Sequence, residues 1–192
     1  DAIIWLAESG EEKKVVDMVG SLSEFFRTSL NRGEDMVTIK KELQHVRSYL
    51  EIQQMRYQDI LRYEIQVPEE LYRYLIPKIT IQPLVENALY HGIKNKRGFG
   101  QIVISGKIET GHFVIQVKDN GIGITEERLT QVNDGIRDKV LTGNDIYGLY
   151  NVNERIRLNF GEKYGLTLES TYGEGTVASL SLPYMEGEKT ES

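Results

Sequence analysis

Two polar side chains, Glu86 and Asn87, stand side by side in an otherwise apolar run, Ile79-Thr80-Ile81-Gln82-Pro83-Leu84-Val85-Glu86-Asn87-Ala88-Leu89-Tyr90-His91-Gly92. A carboxylate beside a carboxamide can orient a nucleophile and offer one oxygen to a hard cation that keeps its waters. Leu84, Val85, Ala88 and Leu89 recur at helical spacing, so they face a core while Glu86, Asn87, Tyr90 and His91 lie toward another side. Pro83 suits a first helical turn and Gly92 a C-terminal cap. His91, one turn past Asn87, is placed either to reach an anionic group or to bond a carbonyl at the helix end. A Glu-Asn pair on a helix also fits an ordinary solvated face, so a second motif has to decide.

Three further runs supply it. Phe113, Ile115 and Val117 alternate with polar neighbours and lead into Asp119-Asn120-Gly121-Ile122-Gly123-Ile124, a strand ending in a glycine loop. Gly121 and Gly123 would let backbone approach a ligand closely, and Asp119 can accept a hydrogen bond from an exocyclic amine. In Tyr147-Gly148-Leu149-Tyr150-Asn151-Val152 a glycine opens a helix whose free N–H groups suit phosphate. Gly173-Glu174-Gly175-Thr176 then turns into the alternating strand 177–182.

In this order and spacing the four runs resemble the N, G1, G2 and G3 boxes of the Bergerat-type ATP-binding fold shared by GHKL ATPases and histidine kinases. Pro83-Leu84-Val85-Glu86-Asn87-Ala88, Gly148-Leu149-Tyr150-Asn151-Val152-Asn153-Glu154-Arg155 and Tyr49-Leu50-Glu51-Ile52-Gln53-Gln54-Met55-Arg56 are most similar to sensor histidine kinases of the LytS/YesM type. The resemblance implies an α+β fold, a two-layer sandwich with a mixed sheet and helices on one face, preceded by a helical hairpin. It implies ATP and Mg²⁺ as ligands. Asn87 would ligate Mg²⁺, and Asp119 would take the adenine amine and select ATP over GTP. Gly121, Gly123, Gly148 and Leu149 would lie against the nucleotide, with Gly175 and Thr176 closing the adenine side. Glu86 would activate the attacking group or hold Mg²⁺ waters. The implied activity is transfer of the γ-phosphoryl group to a histidine and onward to a response regulator receiver domain. The implied setting is a homodimer joined by its N-terminal helices, in the cytoplasmic part of a membrane-anchored parent. A GHKL-type protein serine kinase and an ATP-gated interaction module without kinase activity are the alternatives.

The elements that must position these motifs follow from periodicity. A chain of 192 residues, 40% hydrophobic and 27% charged, is large enough for one core and a satellite element. Its net charge of -6 argues against a nucleic-acid partner. No apolar run approaches the roughly 20 residues that span a bilayer, and the absence of cysteine excludes disulfide and thiol chemistry. Val15, Val19, Leu22, Phe26 and Leu30 mark one face of a first long helix. Thr38 caps a second that carries Ile39, Leu43, Val46, Leu50 and Tyr57 to Ile60, with Glu42 just past capping-box spacing. Two such helices form a hairpin with an apolar stripe to cover, by a second copy or by the rest of the chain. Period 3.6 gives way to period 2 after Ile60, so residues 1–60 read as the hairpin, 61–185 as the ATP-binding unit and 186–192 as a polar tail.

Glu69 to Leu75 reads as a short helix, and Thr125 to Ile146 as a polar lid between the adenine and phosphate loops. Lys94, Lys96 and Arg97 are either a solvated loop or an attractor for polyphosphate. His45 falls among Lys40, Lys41, Glu42 and Arg47 and reads as solvated, and His112 as a turn residue. The acceptor run of the resembled kinases, Pro-His-Phe-Leu-Tyr-Asn-like, is absent, and the start at Asp1 in mid-pattern reads as a cut. No histidine here is taken as the phosphoacceptor.

Overall fold

The computed structural model describes residues 2–30, 34–57, 60–138 and 144–187. Helices α1 (Ala2–Glu8) and α2 (Glu12–Ser29) lead through a short strand β1 (Met36–Thr38) into α3 (Ile39–Arg56). Thr38 caps α3 by accepting the Lys41 N–H. The helix ends at Arg56, four residues before the expected Ile60, because the chain turns there to enter the sheet.

The stripe that α2 lays toward α3 is not the expected one. Met18 is buried, Phe25 stacks on His45 at 4.6 Å between ring centres, and Ser21 donates to Glu51 at 2.8 Å. Val16, Val19, Phe26 and Leu30 remain exposed, as do Ile4 and Trp5 of α1. Helix α3 is covered from two sides. Ile39, Leu43, Val46 and Leu50 join the core of the sheet unit, so the same chain covers this part of the hairpin. Glu42, His45 and Ser48 are buried with them. The solvated face expected for His45 is therefore absent: its ring is 3% exposed. Helical spacing sets His45 on the side of Val46 and Tyr49, whatever its charged neighbours in sequence, and side chains of α2 and of the segment beyond Ile79 exclude water from it.

The rest of the chain runs β2 (Leu61–Gln66), a single 3-10 turn at Glu69–Leu71, β3 (Leu75–Pro77), α4 (Gln82–Asn87), a π-helical turn (Ala88–Ile93), β4 (Gly100–Glu109), β5 (His112–Asp119), α5 (Glu126–Asp138), α6 (Asn144–Phe160), β6 (Gly165–Thr171) and β7 (Gly175–Leu182). The helix expected over 69–75 is only that one turn. Beyond it, β3 pairs antiparallel with β1, a small ribbon no local pattern announced. The main sheet has the order β2-β4-β5-β7-β6, with β2 and β4 parallel and every other pair antiparallel. Phe113, Ile115, Val117 and Asp119 of β5 alternate inward with Ala178, Leu180 and Leu182 of β7. Register sets Asp119 opposite Thr176, at one end of the sheet.

Much of the stretch expected to be a polar lid is the helix α5, and 139–143 lie outside the described residues. Asn133 of α5 bonds both the N–H and the carbonyl of Leu168, and Asn153 of α6 donates to the Ile136 carbonyl and accepts the Leu166 N–H. These bonds tie α5 and α6 to the edge strand β6.

The entry to α4 is strained. Ile79 has φ 55°, a left-handed conformation that a β-branched residue rarely adopts. What holds it is Glu42, whose buried carboxylate accepts the N–H groups of Ile79 at 3.0 Å, Thr80 at 2.7 Å and Ile81 at 2.9 Å. Arg155 of α6 donates to the Ile79 carbonyl at 2.7 Å from the other side. Burial pushes the Glu42 carboxyl above its ordinary range, opposed by those three N–H donors and by His45.

Candidate active site

One cavity of about 310 Å³ opens where β5 ends, the π-helical turn passes and α5 begins. Asn87 and His91 line it from one side. Asp119 and Thr176 close its floor, with Gly123, Leu149 and Leu168 nearby. Four of the residues named from sequence, Glu86, Gly121, Gly148 and Gly175, are not part of this lining.

Their places explain why. A Cβ on Gly121 would stand 2.4 Å from the backbone of Gly92, and one on Gly175 would stand 2.1 Å from the Asp119 carbonyl. Both glycines serve chain-to-chain contacts that shape the floor, rather than contacts with the open space. Gly123, with φ 66°, lies on the lining and packs against the Thr171 carbonyl. Gly148 does not open its helix, because α6 already starts at Asn144. It is exposed, with nothing within 4 Å of a Cβ placed there.

Asp119 is 3% exposed and accepts the Gly121 N–H at 2.7 Å. Burial pushes its carboxyl up to about 6, against the N–H groups of Gly121 and Thr176 and the charge of Lys96. Between the ordinary value of 3.8 and about 6 the folded chain thus binds more protons than the unfolded one. Asp119 therefore contributes most to stability at low pH and loses that contribution as pH rises through the window. An amine donor binds the ionised form more strongly, because protonation leaves the carboxyl one acceptor fewer. Its affinity should fall below about pH 6 and level off above it. Calorimetry against Asp119→Asn, which cancels the ligand's own titration, checks this; a flat difference across the window would contradict it.

Glu86 and Asn87 point to different sides of α4. Asn87 lines the cavity, whereas Glu86 accepts from Gln82 Nε2 at 2.8 Å on the side of α3. There burial, Tyr90 and the Glu86 charge hold the Tyr49 phenol above its ordinary range. The basic run contributes nothing to the lining. Lys94 lies over the rings of Tyr57 and Tyr90, and Lys96 donates to the Asn120 carbonyl. The lining cation is instead Arg128, joined by Val132 one turn on and by Tyr172. Arg128 and Val132 have no signature in a stretch that reads as a polar lid, because a loop offers no helical face, and Tyr172 lies in the turn between β6 and β7. Gly92 was read as a cap, yet it lies against Asp119 itself.

The donors suit a hydrated Mg²⁺ brought in with phosphates: Asn87 offers one neutral oxygen, and the cation would take its other ligands from phosphate and water. Residues 77–186, more than half of the chain, match the histidine kinase-, DNA gyrase B- and HSP90-like ATPase family. The chain belongs to that family. Residues 1–61 match the histidine kinase family. Among curated relatives, the sensor histidine kinase YesM of Bacillus subtilis is 36% identical over 183 residues, covering 95% of this chain and 30% of that protein. The sensor protein LytS of Staphylococcus saprophyticus is 35% identical over 187 residues, covering 95% of this chain and 31% of the relative. The chain thus spans about 30% of the length of the curated relatives it matches.

Among solved structures, the catalytic domain of histidine kinase ThkA superposes with a TM-score of 0.58 at 14% identity, over 78% of this chain and 97% of that one. The histidine kinase domain of a blue-light activated kinase from Erythrobacter litoralis gives 0.56 at 15% identity, over 89% and 75%. These likenesses establish the fold, the mixed sheet with helices of histidine kinase catalytic domains. No helix among the described residues is long and apolar enough to cross a membrane.

Proposed function

We propose that this chain is the ATP-handling core of a sensor histidine kinase, moving the γ-phosphoryl group of Mg-ATP to a histidine for onward transfer to a response regulator receiver domain. The observation that carries the reading is the split of the Glu86-Asn87 pair between the cavity and the hairpin side. Asn87 would hold Mg²⁺, which when bound supplies positive charge against the phosphates. Asp119 would accept the adenine amine, with Thr176 and Gly175 shaping that end, while Leu149 lies against the base or ribose and His91 reaches toward phosphate. Gly121 and Gly123 set the floor and rim, and Gly148 leaves the helix surface open to a phosphate. Glu86, facing α3, would orient the attacking imidazole, since phosphoryl transfer is mostly positioning and charge stabilisation.

The exposed stripe of Ile4, Trp5, Val16, Val19, Phe26 and Leu30 supports a homodimer through the N-terminal helices. Residues 1–60 would supply the dimerising unit and 61–185 the ATP unit, in the cytoplasmic part of a membrane-anchored sensor. The test combines calorimetry with Mg-ATP and Mg-GTP and transfer to a histidine-bearing acceptor helix supplied as a separate polypeptide. ATP binding without GTP binding, and labelled acceptor, are expected. Tight ATP binding with no transfer would favour the non-catalytic module, and equal ATP and GTP affinity would remove Asp119 from its role.

A further inference from the structure

A chain of hydrogen bonds leaves the hairpin and ends on Glu86. Thr28 Oγ1 of α2 lies 2.7 Å from His45 Nδ1, His45 Nε2 meets Gln82 Oε1, and Gln82 Nε2 donates to Glu86 Oε1 at 2.8 Å. The roles along it are forced from the Glu86 end. An ionised carboxylate only accepts, so the Gln82 amide must turn its nitrogen to Glu86 and its oxygen to His45. That oxygen only accepts in turn, so His45 carries a proton on Nε2. Thr28, within 3.0 Å of the carbonyls of Glu24 and Phe25, either gives its proton to Nδ1 or keeps it on a carbonyl. Both arrangements leave the Nε2–H, and the orientation of Gln82, unchanged.

We propose that His45 is a positioning residue for Glu86, acting through Gln82, and that α2 and α3 set the aim of the catalytic carboxylate by this route. The inference rests on the reading of Glu86 as the group that orients the attacking imidazole. His45 is suited to the task because it is held on three sides: by the Phe25 ring at 4.6 Å and 19°, by Thr28, and by Gln82. It is also one turn along from Glu42, so the same face of α3 grips the start of α4 twice. Any shift of α2 against α3 that moves the imidazole rotates the Gln82 amide, and Glu86 loses its fixed donor.

The test uses this chain with Mg-ATP and the separate acceptor helix. His45→Phe keeps a ring for Phe25 but has no N–H, and should lower kcat about tenfold while leaving the KM for ATP within about twofold. A glutamine side chain places its N–H near the position of Nε2, so His45→Gln should restore the rate. Asparagine reaches only the position of Nδ1, so His45→Asn should not. In a Glu86→Gln background, His45→Phe should cost nothing further. Gln82→Leu breaks the same chain from α4 and should match His45→Phe, which keeps the question open to measurement even where one variant folds poorly. The reverse pattern, rescue by asparagine and not by glutamine, would assign His45 to Thr28 alone and overturn the relay. So would an equal loss in both Glu86 backgrounds, or no loss at all. An unaltered chain that neither binds ATP nor labels the acceptor would instead sink the functional reading, and the relay with it.

Discussion

Gly92→Ala should weaken ATP binding by at least about 100-fold, roughly 2.7 kcal/mol, while changing the stability of the fold far less. A methyl group built there stands 2.6 Å from Asp119 Oδ1 and 2.9 Å from its carboxyl carbon. Real Cβ atoms do not come so close, and the aspartate is the part free to turn. Turning costs it the Gly121 N–H at 2.7 Å and removes the acceptor from the cavity floor. Against this, alanine is favoured over glycine in helical backbone by about 1 kcal/mol, which offsets part of the damage to folding. Gly20→Ala is the control: it lies within α2 with nothing within 4 Å of the added methyl, so it should stabilise slightly and leave affinity unchanged. Calorimetry and thermal unfolding on both variants decide it. Unaltered ATP affinity in Gly92→Ala would show that the Asp119 carboxylate does not need its present position.

The second large effect concerns stability. Glu42→Ala should destabilise the chain by about 3–5 kcal/mol, the cost of removing one side of a buried charged hydrogen-bond set. Three N–H groups lose their acceptor at once, around a residue whose backbone is already in a costly conformation. Arg155 loses the negative charge that counteracts its burial. Glu42→Gln retains an oxygen acceptor and the volume. Because burial disfavours the ionised Glu42, the amide should cost far less than the alanine. Urea unfolding at neutral pH measures both. Equal losses would mean that the charge, not the acceptor geometry, holds Ile79 in place.

Features that rest on local interactions are legible in the sequence, and those that rest on tertiary ones are not. Alternation in 113–119 and 177–182 marked both strands, and the Thr38 cap was legible because a cap needs only its own helix. Asn87 and Asp119 were named because short motifs bring them, and the fold then placed both on one cavity. Glu42 and His45 were not legible as buried groups. In linear sequence they stand among Lys40, Lys41 and Arg47, although helical spacing sets them beside Ile39, Val46 and Tyr49, and the arrival of Ile79–Gln82 and of α2 removes them from water. Ile79 gave no signal, since nothing in its chemistry favours a left-handed backbone and its cause lies 37 residues away. Gly121 and Gly175 stand out in the sequence for close approach, and the chain itself approaches them: the Gly92 backbone and the Asp119 carbonyl.

The covering of α3 from both sides bears on how such proteins can be recombined. A chimera that joins the hairpin of one kinase to the ATP unit of another at the helix-to-strand change near Ile60 would give the recipient's α4 a foreign Glu42, His45 and β1. The graft would divide the ribbon between Met36–Thr38 and Leu75–Pro77, and the grip on Ile79, between two parental sequences. A seam placed before Met36 leaves those partners in one parental set, and instead divides the contacts of Phe25 and Thr28 with His45 and of Ser21 with Glu51 between two parents. For engineering, α3 belongs to the unit it packs into as much as to the helix it is paired with.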